Sequence, residues 1–252
     1  MNKSRKTYNY AIYIIAGFLL FNIIWFILSA CLQLKALPYP LDVYKAYPKA
    51  IDNEIISHLL ASLWRTIIGL SIALGIALGF GLAMGYNKFI NKLFGPLLYF
   101  TYPVPKLALL PIVMILFGIG ETSKIIIIVL IIVFQLTLSI RDAVKGIPKE
   151  DYSVLTSLRA SNMSKMRHIT LPAILPAILS SLRIALGIAM SALFFTETFG
   201  TDKGLGFYIT DSWMRIDYIQ MYFGILALSM TGFILFLLLD LVEKYFCKWK
   251  NL

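Results

Sequence analysis

Six apolar stretches, each about as long as a bilayer is thick, constrain this chain more than any other feature. They fall at about 10–34, 57–86, 96–118, 123–140, 173–199 and 221–246. A hydrocarbon core of roughly 30 Å takes about 20 helical residues at 1.5 Å each. No period-two alternation runs through them, and backbone groups in lipid must bond within their own segment, so all six read as helices. Composition agrees: 59% of residues are hydrophobic and 14% charged, against about 25% charged in soluble domains. The excess of 23 Lys+Arg over 13 Asp+Glu would suggest nucleic acid in a soluble protein. Here the positive-inside bias of cytoplasmic loops accounts for it, and no nucleic-acid partner is expected.

With the N-terminus inside, fourteen Lys and Arg fall in inner segments, Lys3, Arg5, Lys6, Lys88, Lys92 and Lys250 among them, and six in outer ones, including Lys124 and Lys203. The expected fold is an all-α polytopic membrane protein with six transmembrane helices, N-in and C-in. Its organisation is an N-terminal helix and outer loop (1–52), a core (53–246) containing a long inner loop (141–172), and an inner tail (247–252). Leu28-Ser29-Ala30-Cys31 resembles a lipoprotein cleavage box, but the preceding apolar run exceeds a signal h-region, so an uncleaved first helix is expected. Cys31 and Cys247 are too far apart in sequence to suggest a disulfide framework, and His58 and His168 stand alone, so no metal site is expected.

Charged or broken positions inside the spans are the candidates for function. Arg65, after Trp64 near an outer end, reads as snorkelling to the interface. In Thr101–Pro111 the prolines break helical bonding around Lys106; this Lys either lines a pathway or sits at the inner interface. Tyr102, Lys106 and Glu197 are the pathway or gate candidates, the alternative for Glu197 being a packing or capping role beside Thr196 and Thr198. Arg183 reads as an inter-helix or lipid-interface anchor, and Asp240 and Glu243 as a solvated helix end. Ser123 is a candidate cap for helix 4, which ends at Arg141-Asp142. Gly75 and Gly79 form a G-x-x-x-G that reads as close packing within one subunit, the alternative being a dimer seam.

The stretch 148–172, PKEDYSVLTSLRASNMSKMRHITLP, is the one long polar segment between apolar blocks. Pro148, Glu150 and Asp151 suit a helix start. Tyr152, Leu155 and Leu158 share one face of a short helix, Ser161-Asn162 breaks it, and Met163, Met166 and Ile169 continue at the same spacing. Such an amphipathic pair lies on lipid or fits a groove on another protein.

This loop resembles the coupling loop of the integral-membrane subunits of bacterial ATP-binding-cassette importers, whose pattern is Glu-Ala-Ala, three residues, Gly, nine residues, Ile-x-Leu-Pro. Ile169-Thr170-Leu171-Pro172 fits the end. Ser153, Val154 and Leu155 then fall at Glu-Ala-Ala and Arg159 at the Gly, followed by Ala160-Ser161. Further blocks, Leu63-Trp64-Arg65-Thr66, Pro105-Lys106 to Pro111, Leu116-Phe117-Gly118-Ile119-Gly120-Glu121, Leu182-Arg183-Ile184 and Gly204-Leu205-Gly206, are similar to the nitrate/sulfonate/taurine-type permeases. The resemblance implies a type I importer permease in the bacterial plasma (inner) membrane, set in lipid. It implies two copies forming the channel, a separate cytosolic ATPase dimer that carries the ATP, and an extracytoplasmic solute-binding protein on which selectivity mainly rests. It implies ATPase coupling through Tyr152, Ser153, Leu155, Leu158, Arg159, Ala160, Ser161, Ile169, Leu171 and Pro172, and a small anion or vitamin-precursor solute.

No cofactor is expected in this chain: the sequence G-x-x-x-x-G-K-[ST] is absent, and Gly204-x-Gly206 follows a membrane helix rather than a strand. Nor is it expected to be an enzyme, since neither H-E-x-x-H nor G-x-S-x-G occurs. The alternative function is an ion-gradient-driven secondary transporter, which usually carries internal repeats that are not evident here.

Overall fold

The computed structural model describes residues 3–251, with side chains from Ile12 to Trp249. The side chains of Lys3, Arg5, Lys6 and Lys250, used in the orientation count, and Leu252 of the tail, lie outside the described residues. Every described element is helical. Five helices are long and apolar enough to span a membrane, and a bent pair makes a sixth span if taken as one.

The chain forms two compact units. One comprises residues up to 56 together with 208–226. Its first helix, α1 (Lys3–Leu32), stops where Gln33 takes φ +49°. Most side chains along it are exposed, as suits a helix solvated by lipid. Trp25 is buried, donates to the Pro38 carbonyl at 3.1 Å and stacks on Tyr222. Prolines in the first turns start two short helices, α2 (Pro40–Lys45) and α3 (Tyr47–Asp52), where a missing N–H leaves no bond unmade.

The second unit comprises 57–207 and 227–252. Three long helices build its centre: α4 (Ile55–Tyr86), α7 (Glu121–Lys145) and α10 (Leu171–Glu197). Buried α4 positions recur at helical spacing, through Ser62, Thr66, Ala73, Ala77 and Met84. They meet Ile128, Ile132, Leu136 and Ile140 of α7 and Ile174, Ile178, Ala185 and Ala189 of α10. In lipid this packing gains little from leaving water, so close approach matters more than apolar area. Gly69, Gly81 and Gly85 supply it: a Cβ there would come within 2.6–2.8 Å of Ile128, Ile140 or Val144 of α7. The sequence pattern pointed to Gly75 and Gly79 instead. Nothing lies within 4 Å of a Cβ built at either, so this G-x-x-x-G does not pack within the protomer.

The stretch read as a single span at 96–118 is two helices meeting at 85°. The first, α5 (Lys88–Thr101), begins eight residues earlier than expected, because Asn87 caps it by accepting from Phe89 and Ile90 N–H. Pro103 and Pro105 lack N–H groups and cannot continue the helical ladder, so the chain turns just beyond Tyr102, itself still helical at φ −60° and ψ −48°. It resumes as a 3-10 turn at Lys106–Leu109 and as α6 (Leu110–Phe117). Ser123 does not cap α7: the helix starts at Glu121, and the Ser123 hydroxyl donates to the Gly120 carbonyl. Nor does α7 end at Arg141-Asp142; it continues to Lys145. The remaining elements are α8 (Ser153–Ser157), α9 (Asn162–Lys165), α11 (Leu205–Met214) and α12 (Tyr218–Phe246).

Candidate functional site: the two ends of α10

Glu197 is the last residue of α10 and is fully buried. On α4, His58, Ser62 and Arg65 sit at i, i+4 and i+7, so they share one face. Arg65 is 1% exposed. Its Nη1 donates to Glu197 Oε1 at 2.6 Å and to the Lys203 carbonyl at 2.8 Å, and its Nε to Glu121 Oε2 at 2.6 Å. A second Arg65–Glu121 bond, through Nη2, completes a fork. The Ser62 hydroxyl lies 2.9 and 2.8 Å from the two Glu197 oxygens. Arg65 is therefore no snorkelling residue but the centre of an ion-pair knot.

The segment after α10 closes this knot with three consecutive backbone N–H groups. Gly204 donates to His58 Nδ1 at 3.1 Å, Leu205 to Ser62 Oγ at 2.8 Å, and Gly206 to Glu197 Oε2 at 2.9 Å. These are orphan donors at the start of α11, which a carboxylate and its neighbours satisfy. Both glycines of Gly204-x-Gly206 are required here. Gly204 has φ +125°, and a Cβ on Gly206 would come 2.5 Å from the Phe194 carbonyl oxygen. Lys124, 1% exposed, donates to the Gly120 and Gly200 carbonyls; it is not the solvated flank the orientation count assumed. The buried Arg65 is matched by the buried Glu197 and by the exposed Glu121, as a buried charge requires. Glu197 thus lies in a closed network within the protomer.

The other end of α10 is held by hydroxyls. Helix α9 runs on through a widened π-type turn at Met166–Thr170, where Leu171 N–H reaches back to Met166 O. The Pro172 ring would clash with the carbonyl four residues earlier in a regular helix, and the wider turn relieves this. Thr170 is fully buried and bonds both Tyr86, at the end of α4, and Tyr152, at 2.9 Å. Burial, with the Tyr86 hydroxyl beside it, pushes the Tyr152 phenol up from its ordinary range.

Between these ties the loop forms a tight reversal. A 3-10 turn at Lys149–Tyr152 leads into α8, which ends earlier than the Ser161-Asn162 break expected. Arg159 takes φ +52°. Its N–H bonds Thr156 O, and Ala160 N–H bonds Leu155 O, the paired bonds of a Schellman C-cap. That left-handed position is the one aligned with the importer pattern's Gly. Ser161 then caps α9 by accepting from Ser164 N–H. The stripe Tyr152, Leu155, Leu158 does not form one outer face. Tyr152 and Leu155 are half-buried, as are Met166 and Ile169, whereas Val154, Leu158 and Met163 are 67%, 71% and 70% exposed.

Two other charged residues settle between helices. Arg183 of α10 pairs with Asp240 at 2.7 Å and with Glu243, both on α12. It is an inter-helix anchor, and those acids are not a merely solvated helix end. Tyr102 and Lys106 line a cavity of about 360 Å³ with residues of α7 and α10; Glu197 is not part of it.

An all-helical chain with this many spans, closed at one end by an ion knot and bearing a capped amphipathic loop at the other, is a polytopic membrane permease. Residues 71–250 match the binding-protein-dependent transport system inner membrane component family, and the chain belongs to it. It is the permease subunit of an ATP-binding-cassette importer, of the nitrate/sulfonate/taurine branch, in the bacterial plasma membrane. It is 32% identical over 199 residues to the taurine transport system permease protein TauC of Escherichia coli K12, covering 79% of this chain and 72% of the relative. It is 27% identical over 235 residues to the formylaminopyrimidine transport permease protein ThiX of Halalkalibacterium halodurans, covering 93% and 94%. The bicarbonate transport system permease protein CmpB of Synechococcus elongatus is 28% identical, with 93% and 87% covered. In fold it resembles a chain of the inward-facing MetNI methionine transporter, with TM-score 0.64, 16% identity and 76% and 95% covered.

Single-sequence reasoning missed Ser62, Arg65, Glu121, Lys124 and His58 as one site. The signal was present, since opposite charges stood at matching ends of three spans.

Proposed function

We propose that this chain is the channel-forming half of a homodimer that imports a small anion, driven by a cytosolic ATPase dimer and supplied by an extracytoplasmic binding protein. Relatives named for the transport of taurine, which bears a sulfonate, and of bicarbonate support this solute class. On this reading 146–172 faces the cytoplasm and the Glu197 end faces outward. ATP binds on the partner, which carries the hydrolysis.

The observation that carries the reading is the two-sided loop. Val154, Leu158 and Met163 stand exposed, while Tyr152 ties its inner side to Thr170 and, through it, to Tyr86. The outer side is free to enter a groove on the ATPase. The inner side hands any displacement to α4 and α10, whose other ends meet in the Arg65–Glu197 knot. ATP binding then selects between inward-open and outward-open channel states through the loop's differential contacts. Tyr102 and Lys106 line the pathway, and Glu197 acts at the gate by fastening it. Ser153, Arg159, Ala160 and Ser161 shape the turn, and Ile169, Leu171 and Pro172 set its exit into α10.

The test is co-purification of the ATPase with Val154→Asp/Leu158→Asp. Both positions are exposed, so membrane insertion should stay normal while ATPase recovery falls at least about tenfold, the effect of losing a central apolar anchor. Undiminished recovery sinks the docking assignment.

A further inference from the structure

Three arginines of the spanning helices are matched by carboxylates. Arg65 meets Glu121 and Glu197, Arg141 meets Asp142, and Arg183 meets Asp240 and Glu243. Lys124 belongs to the Arg65 knot. Lys106 has no carboxylate partner among the described residues. Its ammonium donates to the Tyr102 carbonyl at 2.6 Å and lies 5.6 and 5.4 Å from the Tyr102 and Phe134 ring centres. An ammonium carries three donors, so two remain.

The cavity it lines contains no acid. Gln135 of α7 and Ser191 of α10 add an amide and a hydroxyl to its lining, the hydroxyl donating to the Gly187 carbonyl at 3.2 Å, and Ile131, Ile188 and Ala192 supply apolar wall. Its volume, about 360 Å³, lies in the range of small-ligand sites, about 300–1,000 Å³. A lone cation in an apolar spanning segment calls for a counter-charge.

We infer that Lys106, Gln135 and Ser191 form a binding subsite for one small, singly charged oxyanion of the nitrate, sulfonate or carboxylate type. Resting on the anion-importer reading above, this gives the channel its own anion selection, beyond that of a binding protein. The same chemistry could come from a lipid headgroup, and the test separates the two.

The purified full chain is placed in phosphatidylcholine nanodiscs, and thermal unfolding is followed against nitrate, ethanesulfonate and, as a cation control, choline. The wild type and Lys92→Gln should be protected by the anions and not by choline. Lys106→Gln should need at least about tenfold more anion, the effect of losing one charge-assisted hydrogen bond, and Lys106→Arg should retain most of the protection. Protection of Lys106→Gln equal to wild type, or none of the wild type, overturns the subsite. Protection by anionic phosphatidylglycerol discs that requires Lys106, with no response to free anion, assigns the site to a headgroup and also overturns it. If Lys106→Gln does not fold, Lys106→Arg and Gln135→Leu decide: retained protection in the first and weakened protection in the second support the site, and any other pattern rejects it. ATPase capture by the loop is independent of all these outcomes, so the subsite can fail while the importer reading stands.

Discussion

The two ends of α10 are fastened by opposite chemistry. At Glu197 the ties are a buried guanidinium, two carboxylates and three backbone N–H groups. At Thr170 they are two tyrosine hydroxyls and a widened helical turn. Buried ion pairs are hard to break singly, because the abandoned charge stays desolvated. Neutral hydroxyl bonds are each worth about 1 kcal/mol and exchange readily. A helix that transmits movement between such ends has one stiff terminus and one adjustable terminus.

The largest effect should come from the stiff end. Arg65→Met strands Glu197 and should destabilise the chain by about 3–5 kcal/mol in equilibrium unfolding from mixed micelles. Arg65→Met/Glu197→Leu should recover part of that loss. A double variant worse than the single one would break the comparison. Gly206→Ala should lose about 1–3 kcal/mol, because the added methyl meets the Phe194 carbonyl. Gly79→Ala, with open space around it, should change the unfolding of the isolated chain by less than about 0.5 kcal/mol.

At the adjustable end the effects are smaller, and one has the opposite sign. Arg159→Gly should stabilise the loop by about 1 kcal/mol, since Gly accepts the left-handed turn without strain; slower proteolysis within 149–167 measures it. Destabilisation would mean the Arg159 side chain has a structural role of its own. The smallest effect concerns pH. The Tyr152 phenol is raised in the folded state, so its contribution is complete below the ordinary phenol range and is lost as pH rises through and beyond it. Tyr152→Phe should flatten that alkaline rise in loop proteolysis; an unchanged profile would place the titration elsewhere.

What was legible in the sequence follows the range of the interactions. The spans depend on local hydropathy, and five of the six apolar stretches coincide with long helices, whereas 96–118 is a bent pair. The break near Lys106 followed from prolines whose effect is local. Helix α5 began earlier than predicted because Lys88, Asn91 and Lys92 look like loop residues when Asn87 is not recognised as a cap. The ion knot stayed hidden because Arg65 and Glu197 are 132 residues apart, and no local pattern joins them. The loop was recognised from its closing residues. Its outward face was assigned from helical spacing to Leu155, whereas the 3-10 start and the turn at Arg159 rotate Val154 outward instead.

The central claim is that the outer side of this loop touches an ATPase. A photo-crosslinking residue placed at Leu158, with a second chain labelled at the still more exposed Ile115 of α6, tests it directly in cells. The account predicts an adduct with a cytosolic ATP-binding protein from position 158 and none from 115. An adduct from 115 alone, or only lipid adducts at 158, would contradict it.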